Sequence, residues 1–281
     1  MTLVRQITSR HNELLKALRR LRVDPSEARR SAQAWLEGDH LCRALLAHGR
    51  RPSRAVITEA GWADDGLAAL AREAPEVICI PDTAMRELSG LESPASLGFL
   101  LPIDDWPRPQ PGRRTVVLDR LQDPGNVGSL LRTAAAMGYA QVLALEGTSA
   151  LWSPKVLRAG MGAHFGLALA EAARWDDVVA LGLPIVGTHL RDATWLHETP
   201  LPDSLAWVFG SEGQGMSDQV AAACDLRVRI PQPGGEESLN VAAAAAICLY
   251  ESNRRAPRSL ALPAPEGPAA SGLAEPDPSL P

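Results

Sequence analysis

Three short stretches place polar side chains where chemistry is usually done. In "LDRLQDPGNVGSLLRTAAAMG", Leu118 to Gly138, an apolar run ends in a loop holding Asp123, Pro124, Gly125, Asn126 and Gly128, and a periodic apolar segment leaves it. Asn126 is expected to cap a helix that starts at Val127, with Arg132 further along it. A helix N-terminus with a nearby arginine suits a phosphate. In "VFGSEGQGMS", Val208 to Ser217, Gly210, Gly213 and Gly215 surround Glu212. Glycines let the backbone approach a ligand closely, and the carboxylate is placed to hold a hydroxyl or a cation. In "RIPQPGGEESLNVAAAAA", Arg229 to Ala246, Ser238 and Asn240 open an alanine-rich helix, with Ser238 as its expected N-cap.

Some chemistries are excluded by spacing. A Walker loop needs G-x-x-x-x-G-K-[ST], but Gly125 and Gly128 are too close and no lysine follows. The glycines do not fit G-x-G-x-x-G either, although Glu146 ends the next strand at a suggestive distance. None of the three loops holds a histidine, so no ready general base is present. A guanidinium, with a pKa above about 12, is a poor one. The histidines show no metal-ligand spacing and no metal is expected; His164 and His189 read as polar loop residues. Cys42, Cys79, Cys224 and Cys248 are scattered through apolar or helical contexts and read as free, buried thiols of a reducing compartment. Taken singly, each loop is equally well a cap, a glycine-rich turn or the start of a core helix.

The elements that must carry these loops follow from periodicity. "TVVLD", "QVLALEG", "LPIVGTHL", "LAWVFG" and "LRVRIP" read as strands. They alternate with helical "NVGSLLRTAAAMG", "PKVLRAGMGA", "WDDVVALG", "SDQVAAAC" and "LNVAAAAAICLYESNRR", which implies a parallel sheet. Upstream, "HNELLKALRRLR" and the stretch from Ser26 to Gly49 read as helices. "RAVITEA", "EVICIPD" and "SLGFLLPI" are strands of a smaller α/β unit. The expected divisions are therefore a first domain over 1–103, a Pro-rich linker over 104–113, a second domain over 114–256, and a disordered tail over 257–281 with seven prolines. The 281 residues carry a net charge of −5, yet residues 1–56 hold twelve Arg/Lys against five Asp/Glu, which suggests a local anionic partner. "MTLVRQITSR" has no apolar core of a signal peptide, and no apolar run nears the ~20 residues of a membrane helix; a cytoplasmic protein without a membrane partner is expected.

Together, and in this order, the three loops resemble the motifs of the SPOUT superfamily, specifically the TrmH (SpoU) family of RNA 2′-O-ribose methyltransferases. The resemblance runs through "NVGSLLRTA", "GSEGQG" and "IPQPGGEESLNVA", is supported by "LWSPKVLRAGMGAHF", and covers about residues 114–256. Gln232 stands where the family often has Met or Leu, and Ala242-Ala243 where it often has Ser-Val. "ITSRHNELLKALRRL" and "WLEGDHLCRALLAHG" are similar to the small RNA-binding domain of rRNA-directed members. The resemblance implies an α/β fold whose C-terminal parallel sheet is threaded into a trefoil knot. It implies S-adenosylmethionine as cofactor, held near Gly210, Ile230, Leu239 and Thr188. It implies a catalytic set of Arg132, Asn126, Glu212, Ser238 and Asn240. Because a guanidinium is a poor base, Arg132 is expected to bind the phosphate beside the target ribose, with any role as base secondary. The partners it implies are RNA, ribosomal before transfer RNA, and a second copy of the chain packed through the alanine-rich helix. A non-catalytic RNA-binding protein on the same fold and a Rossmann-type nucleotide enzyme are the rivals from other classes.

Overall fold

The computed structural model describes residues 2–90, 92–103, 108–190, 192–234 and 238–255. The expected tail and residues 104–107 of the expected linker lie outside the described residues. The first part of the chain builds on strands β1 (Leu3–Gln6), β2 (Gln33–Glu37), β3 (Arg54–Thr58), β4 (Glu76–Ile80) and β5 (Leu97–Pro102). They lie in the order β1-β4-β3-β5-β2, with β5 antiparallel to both its neighbours. Around them pack helices α1 (Glu13–Val23), α2 (Glu27–Ser31), α3 (Asp39–Ala47), α4 (Glu59–Trp62), α5 (Asp65–Ala71) and α6 (Asp82–Leu88).

The helical expectation for Ser26 to Gly49 fails in its middle. Helix α2 stops at Ala32, which sits in the left-handed region at φ 51°. The next five residues then run extended as β2, with Trp35 opposite Leu100. Ala34, Trp35 and Leu36 are all buried. A strand covered on both faces presents a continuous apolar run, which periodicity cannot tell from a buried helix. Strand β1 is also absent from the sequence expectation; all four of its residues are exposed, so no alternation marks it.

The second part builds a seven-stranded sheet from β6 (Thr115–Asp119), β7 (Gln141–Leu145), β8 (Ala168–Ala173), β9 (Ile185–Thr188), β10 (Thr194–Trp195), β11 (Ala206–Gly210) and β12 (Leu226–Arg229). Its order is β10-β12-β9-β11-β6-β7-β8, and every neighbouring pair is parallel. The helices are α7 (Pro124–Ala136), α8 (Pro154–Gly160), α9 (Trp175–Val179), α10 (Asp218–Ala222) and α11 (Val241–Arg255). The five strands expected here are present. Edge strand β8 escapes the sequence because "ALAEAA" has helix-forming composition, and β10 because it is two residues long. Strands β6, β7 and β11 are buried along their whole length, as parallel strands covered by helices must be.

This sheet decides where the polar loops go. Strands β6 and β11 are neighbours in register, with Asp119 opposite Gly210. The loops that follow them therefore leave side by side, at the carboxyl ends where open α/β sheets bind ligands. The loop after β12 leaves the same edge and leads into α11, which packs on α7. Among the described residues, no helix is long and apolar enough to cross a membrane.

Candidate active site

The first loop is fixed from within. Pro124 starts α7, and Asp123, not Asn126, is its N-cap: the Asp123 carboxylate accepts from the Asn126 amide N–H at 2.7 Å. Proline at the first helical position puts the cap one residue before it, three residues earlier than the apolar periodicity suggests. Asn126 is thereby released for other partners. Its Nδ2 donates to Glu212 Oε1 at 2.9 Å, and its Oδ1 accepts from Asn240 Nδ2 at 2.9 Å. Asn240 in turn caps α11, its Oδ1 accepting from the N–H groups of Ala242 at 2.9 Å and Ala243 at 3.3 Å. That is the role the sequence assigns to Ser238. One hydrogen-bonded line, Glu212–Asn126–Asn240, thus ties together all three loops.

The second loop is a tight reverse turn. Ser211 and Gly215 exchange both backbone hydrogen bonds, at 3.0 and 2.8 Å. A Cβ on Gly210 would lie 2.1 Å from the backbone of Gly215 and Met216, so only glycine permits this turn. The buried Asp119 carboxylate accepts from the Ser217 N–H at 2.6 Å and fastens the far end of the turn to β6.

Beside this network lies a cleft of about 550 Å³, within the usual range for small-molecule sites. Thr188, Gly210, Glu212, Ile230, Ser238 and Leu239 all line it. Asn126 and Asn240 stand at its edge through Glu212. Arg132 does not line it: it is exposed on α7, six residues or about 9 Å of helix rise beyond Asn126. His189, Gln214 and Gln232 also line the cleft; the sequence reading takes His189 as a polar loop residue, marks Gln232 only as a departure from the family pattern, and misses Gln214. The signal available for Gln214 is position, within a few residues of the end of β11. The Gln232 Oε1 is buried and has no hydrogen-bond partner, an acceptor facing a cleft that needs an N–H donor. A second cleft of about 480 Å³ lies at the edge of the first sheet, but its cations, Arg5 and Arg54, are already paired with Glu76.

The remaining titratable groups have structural explanations. Burial pushes the thiols of Cys42 and Cys248 up, and that of Cys224 up to about 11, so none is a thiolate nucleophile at neutral pH. His164 is not a polar loop residue: it is fully buried, packs against Trp152, and its Nε2 donates to the Leu151 carbonyl at 2.8 Å. Burial lowers its pKa to about 4, so it is neutral. Among the described residues, no group of His, Cys, Asp or Glu is placed to hold a metal ion.

Comparison with known proteins decides the family. The SpoU rRNA Methylase family matches residues 113–250. A tRNA/rRNA methyltransferase of Synechocystis, itself described as uncharacterized, is 32% identical over 90% of this chain and 94% of its own. This chain belongs to the SpoU rRNA methylase family. The 23S rRNA (guanosine-2′-O-)-methyltransferase RlmB of Bordetella pertussis is 31% identical over 84% of this chain and 93% of that protein. An AdoMet-bound rRNA methyltransferase from Sinorhizobium meliloti superimposes with a TM-score of 0.76 at 26% identity, covering 89% of this chain and 98% of that one. The family match spans the seven-stranded sheet and the three loops, and the relatives' coverage extends it over the first sheet.

Proposed function

We propose that the protein transfers a methyl group from S-adenosylmethionine to a ribose 2′-hydroxyl of 23S ribosomal RNA. The observation that carries this reading is the Glu212–Asn126–Asn240 line, which closes three family loops around one cleft. The cleft suits the cofactor in kind. Ile230, Leu239, Val241 and Ala244 offer apolar cover for a purine, and Gln232 Oε1 offers an acceptor for one of the ligand's N–H groups. When bound, the cofactor supplies a methyl group on a positively charged sulfur. The protein's share is to place and orient the hydroxyl that attacks it, which can lower a barrier substantially without a strong base. In this reading Ser238 and Glu212 hold the ribose at the mouth of the cleft. Asn126 and Asn240 fix the Glu212 carboxylate, and Arg132 binds the adjoining phosphate.

Arg132 lies off the cleft of its own chain, and this supports a homodimer as the working form. Leu239, Ile247 and Tyr250 are exposed apolar groups on or next to α11, which packs on the helix that carries Arg132. Pairing two chains there covers those groups and offers Arg132 to a neighbouring cleft. The trefoil knot belongs to the same reading, with the chain after β9 threaded so that the motif loops converge. Residues 1–103 then act as the RNA-selecting domain and 114–256 as the methyltransferase domain, working in the cytoplasm where ribosomes are made.

RNA contact is supported most directly by charge on the second domain. Among the described residues, Arg132, Lys155 and Arg158 are exposed on the packed helices α7 and α8 and make no ion pair. The basic N-terminal segment has less free charge than its composition suggests. Arg5, Lys16, Arg19, Arg20, Arg30, Arg43, Arg51 and Arg54 all pair with carboxylates.

The test is ribose-methylation mapping of total RNA from a strain lacking the gene. One 23S position that loses its 2′-O-methyl, and regains it with the wild-type gene but not with Arg132→Ala, supports the proposal. A loss confined to tRNA transfers the chemistry to another substrate. Unchanged RNA, together with a purified protein that binds rRNA but not S-adenosylmethionine, leaves a non-catalytic binding protein.

A further inference from the structure

Arg120 is the first residue after β6, and its backbone is left-handed at φ 59°. Glycine adopts that conformation freely; a long side chain adopts it at a cost. Strain of this kind, kept at the edge of a binding cleft, points to a job for the side chain. The geometry shows what the turn achieves. Along a strand, successive side chains face opposite ways, so Asp119 and Arg120 would diverge. Here they meet: Arg120 Nε donates to Asp119 Oδ1 at 3.2 Å, while Asp119 Oδ2 holds the Ser217 N–H.

The rest of the side chain is guided in the same direction. The Arg120 N–H donates to Thr148 Oγ1 at 3.1 Å, and the aliphatic stem passes over Gly147, where a Cβ would stand 3.2 Å from Arg120 Cγ. The guanidinium reaches Gln214, with Nη1 3.5 Å from Oε1, and Gln214 lines the cleft. Its Nε is anchored on a buried carboxylate, and the side chain is still 36% exposed. The edge left to meet a ligand is the one bearing the two Nη groups. A fixed, planar, permanently charged fork of this kind matches the oxygens of a phosphate.

We propose that Arg120 binds a backbone phosphate of the RNA at the rim of the cleft, in the same chain as the Glu212–Asn126 pair. This rests on the RNA methyltransferase reading, and it adds a phosphate contact separate from Arg132. Arg120 would set how the strand enters the site, with no part in holding the methyl donor.

Arg120→Gly relieves the left-handed backbone but leaves the buried Asp119 carboxylate without its cation, so Arg120→Lys, which keeps the charge without the fork, is tested beside it. The probe is deproteinised rRNA from a strain lacking the gene, titrated over a range of salt, with S-adenosylmethionine affinity measured separately by calorimetry. The expected result for Arg120→Gly is a folded protein that melts somewhat below wild type, from the loss of the Asp119 pair, with cofactor affinity within about twofold. The KM for RNA rises about tenfold with little change in kcat, as for loss of a charged hydrogen bond. The slope of log affinity against log salt falls by about 0.7–0.9, the value of one phosphate contact. Arg120→Lys restores the slope but only part of the affinity. Wild-type RNA affinity and slope in Arg120→Gly overturn the proposal. So does a loss of cofactor affinity with RNA binding intact, which would make Arg120 a prop for the Gln214 turn. A wild-type protein that neither binds nor methylates the rRNA overturns this proposal and the functional reading together.

Discussion

Asn240 does two things with one side chain, and substitutions can separate them. Its Oδ1 caps α11 and its Nδ2 donates to Asn126. Asn240→Ala removes both. Losing an N-cap costs about 1 kcal/mol, which for a chain of this size is a fall in Tm of about 2–4 °C. Asn240→Asp keeps the cap, since aspartate is as good an N-cap and its charge suits a helix N-terminus. What it lacks is the donor. Glu212 and the introduced carboxylate would then be acceptors on either side of Asn126, whose amide has its NH₂ at one end only. Flipping that amide moves the mismatch without removing it. The neutral Asn240–Asn126 hydrogen bond is lost, about 0.5–1.5 kcal/mol, or roughly 2- to 13-fold in rate if the line serves the reaction. The assay is methyl transfer to rRNA beside thermal unfolding of the same preparations. The expected pattern is an Asn240→Asp that melts above Asn240→Ala, because only it keeps the cap, with kcat/KM reduced several-fold in both. An Asn240→Asp enzyme with wild-type kcat/KM refutes the claim that the line organises the site. Unfolding of Asn240→Asp at the Asn240→Ala temperature refutes the assignment of the cap.

Other expectations follow from packing and titration. His164 is held neutral with a pKa of about 4 against 6.5 when free, so the unfolded chain takes up its proton first as pH falls. Its contribution is full above about pH 6.5 and is lost progressively towards pH 4, about 3 kcal/mol in all. Urea unfolding across this window should show a shallower pH dependence for His164→Gln than for wild type; equal slopes would contradict the burial. A Cβ on Gly128 would lie 2.4 Å from Ala159 Cβ and 2.7 Å from the Val156 carbonyl, so Gly128→Ala should force α7 and α8 apart and cost about 1–3 kcal/mol in a denaturant titration. Ile247→Glu puts a charge on the exposed face of α11, and light scattering should find a monomer with secondary structure intact if that face joins two chains.

The sequence carries the second sheet well because the physics there is local. Strands such as "TVVLD" and "LAWVFG" are apolar throughout and alternate with helices, which leaves little but a parallel sheet. It carries the first sheet less well. Trp35 and Leu36 look helical in context, and only the left-handed turn at Ala32 and pairing with β5, some sixty residues away, make them a strand. The site shows the same divide. Asn126, Glu212, Ser238 and Asn240 are legible as polar residues at strand ends. Their pairing is not, because it depends on β6 and β11 being neighbours in the sheet, and the shift of the cap from Asn126 to Asp123 depends on reading Pro124 as helical.

That shift matters to the chemistry. An asparagine that caps its own helix has its oxygen turned towards that helix and away from a neighbouring loop. By giving the cap to Asp123, the chain frees both ends of the Asn126 amide, and the direction of the line is then set by Glu212. A carboxylate only accepts, so the Asn126 NH₂ must face it, the Asn126 oxygen must face Asn240, and the Asn240 oxygen must face α11. No histidine or metal ligand takes part in this ordering. Each loop is oriented by the next, and the helix N-terminus at the end of the line supplies the last donors. A site built this way is ordered before any ligand arrives, and under the proposed methyl transfer its share is to hold the attacking hydroxyl in place.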